Sequence, residues 1–170
     1  MTLAEQVKYD ITYRVESKDW LMGFFSDIPT TPDRLQVEAL IKKHQDEIVV
    51  HKHLQRLDPD WKRYRELVQQ NRIFVIFARD EYEIVGYIVV FVLRHLHDRT
   101  LVYSMDDLYY IEQTQRGAGI GAGMIAAAER HAKKLGSRLM TLRAKKDSRA
   151  ARFLQLIGYH EFETVYAKEL

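Results

Sequence analysis

The chain has no cysteine. That excludes disulfides, a thiolate nucleophile and any zinc–cysteine site, and it is compatible with a reducing compartment. It has no long apolar run either. The longest, residues 85–93, is far too short to span a bilayer and contains Gly86 and Tyr87. Neither sign of charge dominates: 26 Lys and Arg stand against 24 Asp and Glu, a net charge of +2. By itself this argues for neither nucleic acid nor a membrane surface. Residues 1–10 are polar and carry Glu5 and Asp10, so they do not read as a signal peptide. Proline is scarce, and Pro29, Pro32 and Pro59 all fall in two breaks of a helical region. There is no repeat, low-complexity tract or linker. The expectation is a cytoplasmic protein with one domain over residues 1–170.

Periodicity sets the element order. Ile11, Tyr13 and Val15 alternate with polar residues, a strand signal. Residues 17–72 read as interrupted helices, starting near Ser17, near Asp33 and at Asp60, which is placed to cap. Residues 73–78 and 84–93 read as a hairpin, and 101–111 as a third strand of that group. A helix then runs to Leu135 and stops at Gly136. Residues 138–144 read as a strand and 147–157 as a helix. Residues 159–162 and 164–168 read as two short terminal strands. This is an α/β domain.

The feature with chemical content is Arg116-Gly117-Ala118-Gly119-Ile120-Gly121. It follows the apolar run Leu108-Tyr109-Tyr110-Ile111 and opens a helix. A strand feeding a glycine turn and then a helix makes an anion site. The first helical N–H groups lack partners, the helix dipole favours negative charge, and glycine admits a phosphate closely. A Walker loop needs a Gly-Lys-Ser/Thr string that is absent here. Gly117-x-Gly119-x-x-Ala122 fits a loose dinucleotide fingerprint, but too little chain follows Gly121 to complete such a sheet.

A third reading uses more of the chain. Arg116-x-x-Gly119-x-Gly121 resembles the acetyl-CoA motif, Gln/Arg-x-x-Gly-x-Gly/Ala, of the GCN5-related N-acetyltransferases (GNAT). Asp147-x-x-Ala150-x-x-Phe153-Leu154-x-x-x-Gly158-Tyr159 resembles that family's last helix–strand motif. The resemblance covers residues 73–170 well, and the first 72 only by element order. Leu57-Asp58-Pro59-Asp60-Trp61 and His95-Leu96-His97 also look like a subgroup found in bacteriophage genomes.

The resemblance implies an α/β (α+β) fold with a mixed, mostly antiparallel central sheet flanked by helices. It implies acetyl-CoA as cosubstrate, an amine acceptor on a small molecule or protein, and direct acetyl transfer. The pyrophosphate would lie on the amides of Gly117, Ala118, Gly119, Ile120, Gly121 and Ala122, with Arg116 adding charge. A backbone N–H near Ile111 would polarise the thioester. Asp147 stands where the family usually has asparagine. Something must take the amine's proton. Asp107 is the first candidate, sharing a face with Tyr109 and Ile111 by alternation. Glu112 is second, and Asp106 is poorer by parity. Leu154 replaces a tyrosine that protonates the leaving thiolate in many relatives, with Tyr166, Tyr110 and Tyr109 as substitutes. The alternative from another class is a catalytically weak CoA-binding or protein-interaction module.

The pairs His51/His53 and His95/His97 have a spacing that can hold zinc, but no acid–histidine set surrounds them, so no metal is expected. Lys133, Lys134, Arg138, Arg143, Lys145, Lys146, Arg149 and Arg152 form a basic region. Without an interleaved aromatic platform it reads as complementary to CoA phosphates rather than to nucleic acid. Trp20, Phe24, Phe25, Trp61 and Tyr64 read mostly as core, with one or two lining an acceptor pocket. Family members often dimerise through late strands, so a homodimer is an expectation.

Overall fold

The computed structural model describes residues 11–26, 31–48, 53–54, 56–81 and 83–170. Along them run β1 (Ile11–Val15), α1 (Lys18–Phe24), α2 (Pro32–Ile48), α3 (Trp61–Gln69), β2 (Ile73–Asp80), β3 (Glu83–Arg94), β4 (Val102–Ile111), α4 (Ile120–Lys134), β5 (Leu139–Thr141) and α5 (Arg149–Leu156). The strands form one sheet in the order β1-β2-β3-β4-β5. The first four are antiparallel neighbours, and β5 lies parallel to β4. This is the mixed, mostly antiparallel sheet that the resemblance implies.

Helix starts follow local chemistry. Ser17 Oγ accepts from Trp20 N–H at 3.2 Å, Asp60 Oδ1 from Arg63 N–H at 2.9 Å, and Ser148 Oγ from Ala151 N–H at 3.0 Å. Each satisfies a donor that the first turn cannot. The cap of α5 is Ser148 rather than Asp147, which sits just outside at φ 58°.

β2 and β3 are near-continuous apolar runs because both faces of the sheet are covered. On one face Leu21, Phe24, Phe25, Val37, Leu40 and Val68 of α1–α3 pack on Val75, Phe77, Tyr87, Val89 and Tyr110. On the other, Ile120, Met124, Ala127, Ala128 and Ala132 of α4 pack on Phe74, Ile76, Ala78, Ile88 and Val90. Helix α2 is fixed at three points. Asp33 receives Arg79 at 2.9 and 3.2 Å near its start. Lys43 donates to Glu112 further along, and Glu47 receives Arg116 at 2.6 and 2.7 Å.

The C-terminal fifth departs from the periodicity. The strand expected over residues 138–144 shrinks to three, and residues 159–162 and 164–168 are not strands. Alternation marks a chain fit for a strand, but a strand exists only as a ladder. The ladder at β5 is short, and beyond it Phe162, Val165 and Tyr166 stay exposed. Polar contacts of this tail include Tyr159 N–H to Leu154 O at 2.9 Å, Tyr159 Oη to Glu129 at 2.9 Å and Glu169 to His53 at 3.2 Å. No helix among the described residues is long and apolar enough to cross a membrane.

Candidate functional site

After β4 the chain makes one 3₁₀ turn, Gln113–Gln115, and then the glycine turn. Gly117 (φ 97°) and Gly119 (φ 78°) lie in the left-handed region that only glycine enters freely. Gly119 is the N-cap of α4 and supplies no side-chain cap, and no acid lies in the first turn. The first intrahelical bond is Gly123 N–H to Gly119 O at 3.0 Å. The amides of Ile120, Gly121 and Ala122 therefore precede the helical ladder and face outward from its positive end. A Cβ at Gly117 or Gly119 would meet no protein atom within 4 Å, whereas one at Gly121 would press Ile111 Cδ1 and Phe153 Cζ at 3.2 Å. The motif's glycines thus have separate reasons: conformation at Gly117 and Gly119, packing against β4 and α5 at Gly121. Gly119→Ala should lose about 1–2 kcal/mol of stability to strain. Urea unfolding reads that loss.

Arg116 adds less charge to this turn than the sequence implied. Its guanidinium pairs in bidentate fashion with Glu47, its Nε donates to Ile111 O at 3.0 Å, and it lies over the Tyr110 ring at 5.2 Å. The side chain fastens α2 to the end of β4. Behind it is a cluster that periodicity did not single out. His44, 8% exposed, meets Tyr87 Oη at 2.7 Å and stacks on Tyr110 at 5.0 Å. Burial pushes the His44 imidazole down to about 4, so it is neutral at pH 7. The one sequence signal for it is helical spacing with Val37 and Leu40.

The decisive local feature is in β4. Val89 pairs with Leu108, but Val90 pairs with Asp106, so Asp107 is an extra residue in a β-bulge. The bulge inverts alternation. Asp106, not Asp107, shares the α4-side face with Tyr109 and Ile111; it is 3% exposed and accepts Arg143 N–H at 2.9 Å. Asp107 turns to the α1–α3 face and accepts Tyr64 O–H at 2.8 Å. Asp107 therefore does not share the face of Tyr109 and Ile111 that alternation assigns to it, although it does reach a candidate site. Burial pushes the Asp106 carboxyl up, opposed by Arg143. Glu112 is occupied: one oxygen meets Lys43 and the other accepts Gln113 N–H at 3.0 Å.

β4 and β5 pair only as far as Met105 and Thr141, then part. Arg143 spans the fork, donating to the carbonyl of Asp106 and, at 3.1 Å, to that of Asp107. Glu112 N–H donates to Val85 O at 2.8 Å. Antiparallel alternation then gives the polar groups of Tyr110 and Leu108 to β3 and leaves those of Tyr109 and Ile111 on the open edge. Tyr109 O–H donates to Arg143 O at 3.1 Å, and burial raises it to about 12. Tyr109 is thus the tyrosine held at the fork. Tyr166 stands on the strandless tail, 90% exposed, and Tyr110 is buried beside His44. Leu154 is buried at 5% exposure, and Asp147 is exposed before α5.

Beside the bulge, a cavity of about 200 Å³ lies between α1–α3 and the sheet. Phe24, Phe25, Trp61 and Tyr64 serve both the core and its wall. His51 falls outside the described residues. His95 and His97 are exposed, with rings 5.8 Å apart. No group of three metal-donor side chains gathers among the described residues.

An open helix N-terminus next to a strand edge with no ladder partner has the chemistry to hold an extended ligand that carries phosphate. The sequence model of the Acetyltransferase (GNAT) family matches residues 37–159, well over half of the chain, and the chain belongs to that family. The match reaches back through most of α2, further than the motifs alone. In fold the chain is similar to an aminoglycoside acetyltransferase from an uncultured soil metagenomic sample in complex with sisomicin. That pair has a TM-score of 0.71 and 18% identity, over 94% of this chain and 95% of that one. It is similar to a ribosomal-protein-alanine N-acetyltransferase from Brucella melitensis biovar Abortus 2308, with TM-score 0.65 and 16% identity over 94% and 99%. It is also similar to the aminoglycoside N-acetyltransferase AAC(6')-Iy in complex with CoA, with TM-score 0.63 and 15% identity over 94% and 100%. At these identities the likeness is one of fold. No match was found among the curated proteins.

Proposed function

We propose that the protein is an acetyl-CoA-dependent N-acetyltransferase that moves acetyl directly to an amine. The observation that carries this reading is the uncapped start of α4, entered through Gly117 and Gly119, beside the β4 edge that β5 leaves open. The residues fit the cosubstrate: outward amides for a pyrophosphate, and clear space where side chains at Gly117 and Gly119 would stand.

In this mechanism the amides of Gly117, Ala118, Gly119, Ile120, Gly121 and Ala122 hold the pyrophosphate. The edge groups of Tyr109 and Ile111 align the pantetheine arm, and an N–H there polarises the thioester carbonyl. Acetyl-CoA supplies an activated acetyl group: the amine nitrogen bonds the carbonyl carbon, the C–S bond breaks and CoA leaves as thiolate. Asp107, steadied by Tyr64 O–H, takes the proton that the amine sheds. A thiol has a pKa of about 8.5, so water suffices to reprotonate the thiolate without a tyrosine at Leu154.

Thermal unfolding with acetyl-CoA, CoA and ATP tests the cosubstrate. Ligand at a hundred times its Kd adds about 2.7 kcal/mol, a rise of roughly 5–11 °C for a chain of this size. Both CoA forms should stabilise and ATP should not; no shift with CoA would defeat the reading. Buried Leu154 favours a second reading, a CoA-binding module with weak catalysis. Release of free thiol over a panel of amines separates the two.

A further inference from the structure

The acceptor is narrowed by the cavity beside Asp107. We infer that the protein acetylates a small monocationic amine carried on a single aromatic or branched apolar group, the arylalkylamine class. This rests on the acetyltransferase reading above.

Three observations converge. The first is composition. The walls are Phe24, Phe25, Leu57, Trp61, Tyr64 and Leu108 with apolar neighbours; among the described lining residues one, Asp58, is acidic and one, Arg56, is basic. Such a lining holds an apolar body and gives a polycation almost nothing to pair with. The second is charge placement. Tyr64 lines the cavity and donates to Asp107, and Leu108 is the next residue of β4, so the Asp107 carboxylate stands beside the Tyr64–Leu108 wall. Asp58, the other acid, is exposed on the loop before α3, so the carboxylate on the sheet side is that of Asp107, and it matches one ammonium. Arg34 stacks on Trp61 at 3.7 Å and is ion-paired with Glu38 at 2.7 Å, which holds the Trp61 wall in place. The third is size. About 200 Å³ matches one ring with a short linker better than a body of several sugar rings. The fold relatives named above include enzymes in complex with sisomicin and CoA, but fold alone carries no acceptor.

The full chain is assayed for thiol release from acetyl-CoA with phenethylamine, spermidine, sisomicin and an alanine-initiated peptide. Phenethylamine should have the highest kcat/KM, by roughly 10- to 150-fold, the worth of burying one apolar side chain. Leu57→Glu, at a position 43% exposed and so tolerant of charge, adds an acid at the wall. It should move the phenethylamine-to-spermidine ratio at least tenfold towards spermidine. Trp61→Ala should raise KM for phenethylamine more than it lowers kcat. Preference for spermidine, sisomicin or the peptide in the unsubstituted protein overturns the inference. So does a Leu57→Glu variant with an unchanged ratio. If acetyl-CoA still raises the unfolding temperature in either case, only the acceptor class fails; if it does not, the acetyltransferase reading fails first.

Discussion

Asp107→Asn should lower acetyl transfer by roughly two to four orders of magnitude, the usual contribution of a positioned general base. Binding of CoA should remain intact, because the amides that would hold it lie on the glycine turn and the edge of β4. Asparagine still accepts the Tyr64 hydroxyl, so the geometry of the bulge survives while the proton acceptor is lost. The comparison that gives this meaning is Asp106→Asn. Asp106 is buried, faces α4 and holds Arg143 across the fork. Its loss should appear as about 1–3 kcal/mol of stability, the penalty of disturbing a buried hydrogen-bonded group. A parallel fall in turnover is not required. If Asp107→Asn retains full turnover, the proton goes elsewhere and the role assigned to the bulge is wrong. If the two variants behave alike, both carboxylates are structural.

That pair of neighbouring acids also marks where sequence reasoning stops. The glycine turn, the caps at Ser17 and Asp60 and the β2–β3 hairpin are local, and a short window contains their causes. The bulge at Asp107 is a property of two strands in register. Alternation along β4 alone assigns Asp107 and Asp106 to each other's faces, because one inserted residue inverts every parity argument across it. The tail fails for a related reason. Residues 159–162 and 164–168 read as strands, but no window reveals that the β5 ladder is only three residues long. The acceptor face was half legible: crowded aromatics announced a core, yet the Tyr64–Asp107 bond joins residues 43 apart. The Glu47–Arg116 clasp, over 69 residues, was equally out of reach.

That clasp belongs to the element behind the second large effect, a loss of about 3 kcal/mol of stability as the pH falls from 6.5 to 4. His44 titrates near 6.5 in the unfolded chain and near 4 in the fold, where burial disfavours its cation most; Arg116 opposes the cation and Glu47 favours it. The unfolded chain therefore binds the proton first. The contribution is complete above pH 6.5 and declines through that window, and 1.36 kcal/mol per pH unit sets its size. Carboxylates titrate in the same range, so the measurement is a difference. His44→Gln keeps an acceptor for Tyr87 and cannot titrate. Urea unfolding should find it less stable at pH 7, with the two curves converging below pH 6.5 by the slope of one proton. Curves that stay parallel would mean His44 is not held neutral. The site feels the same event. A cation formed between Tyr87 and Tyr110 lies beside Arg116, so α2 loosens from the end of β4 and the glycine turn loses its brace. CoA affinity should fall together with stability in unsubstituted protein and should hold level in His44→Gln.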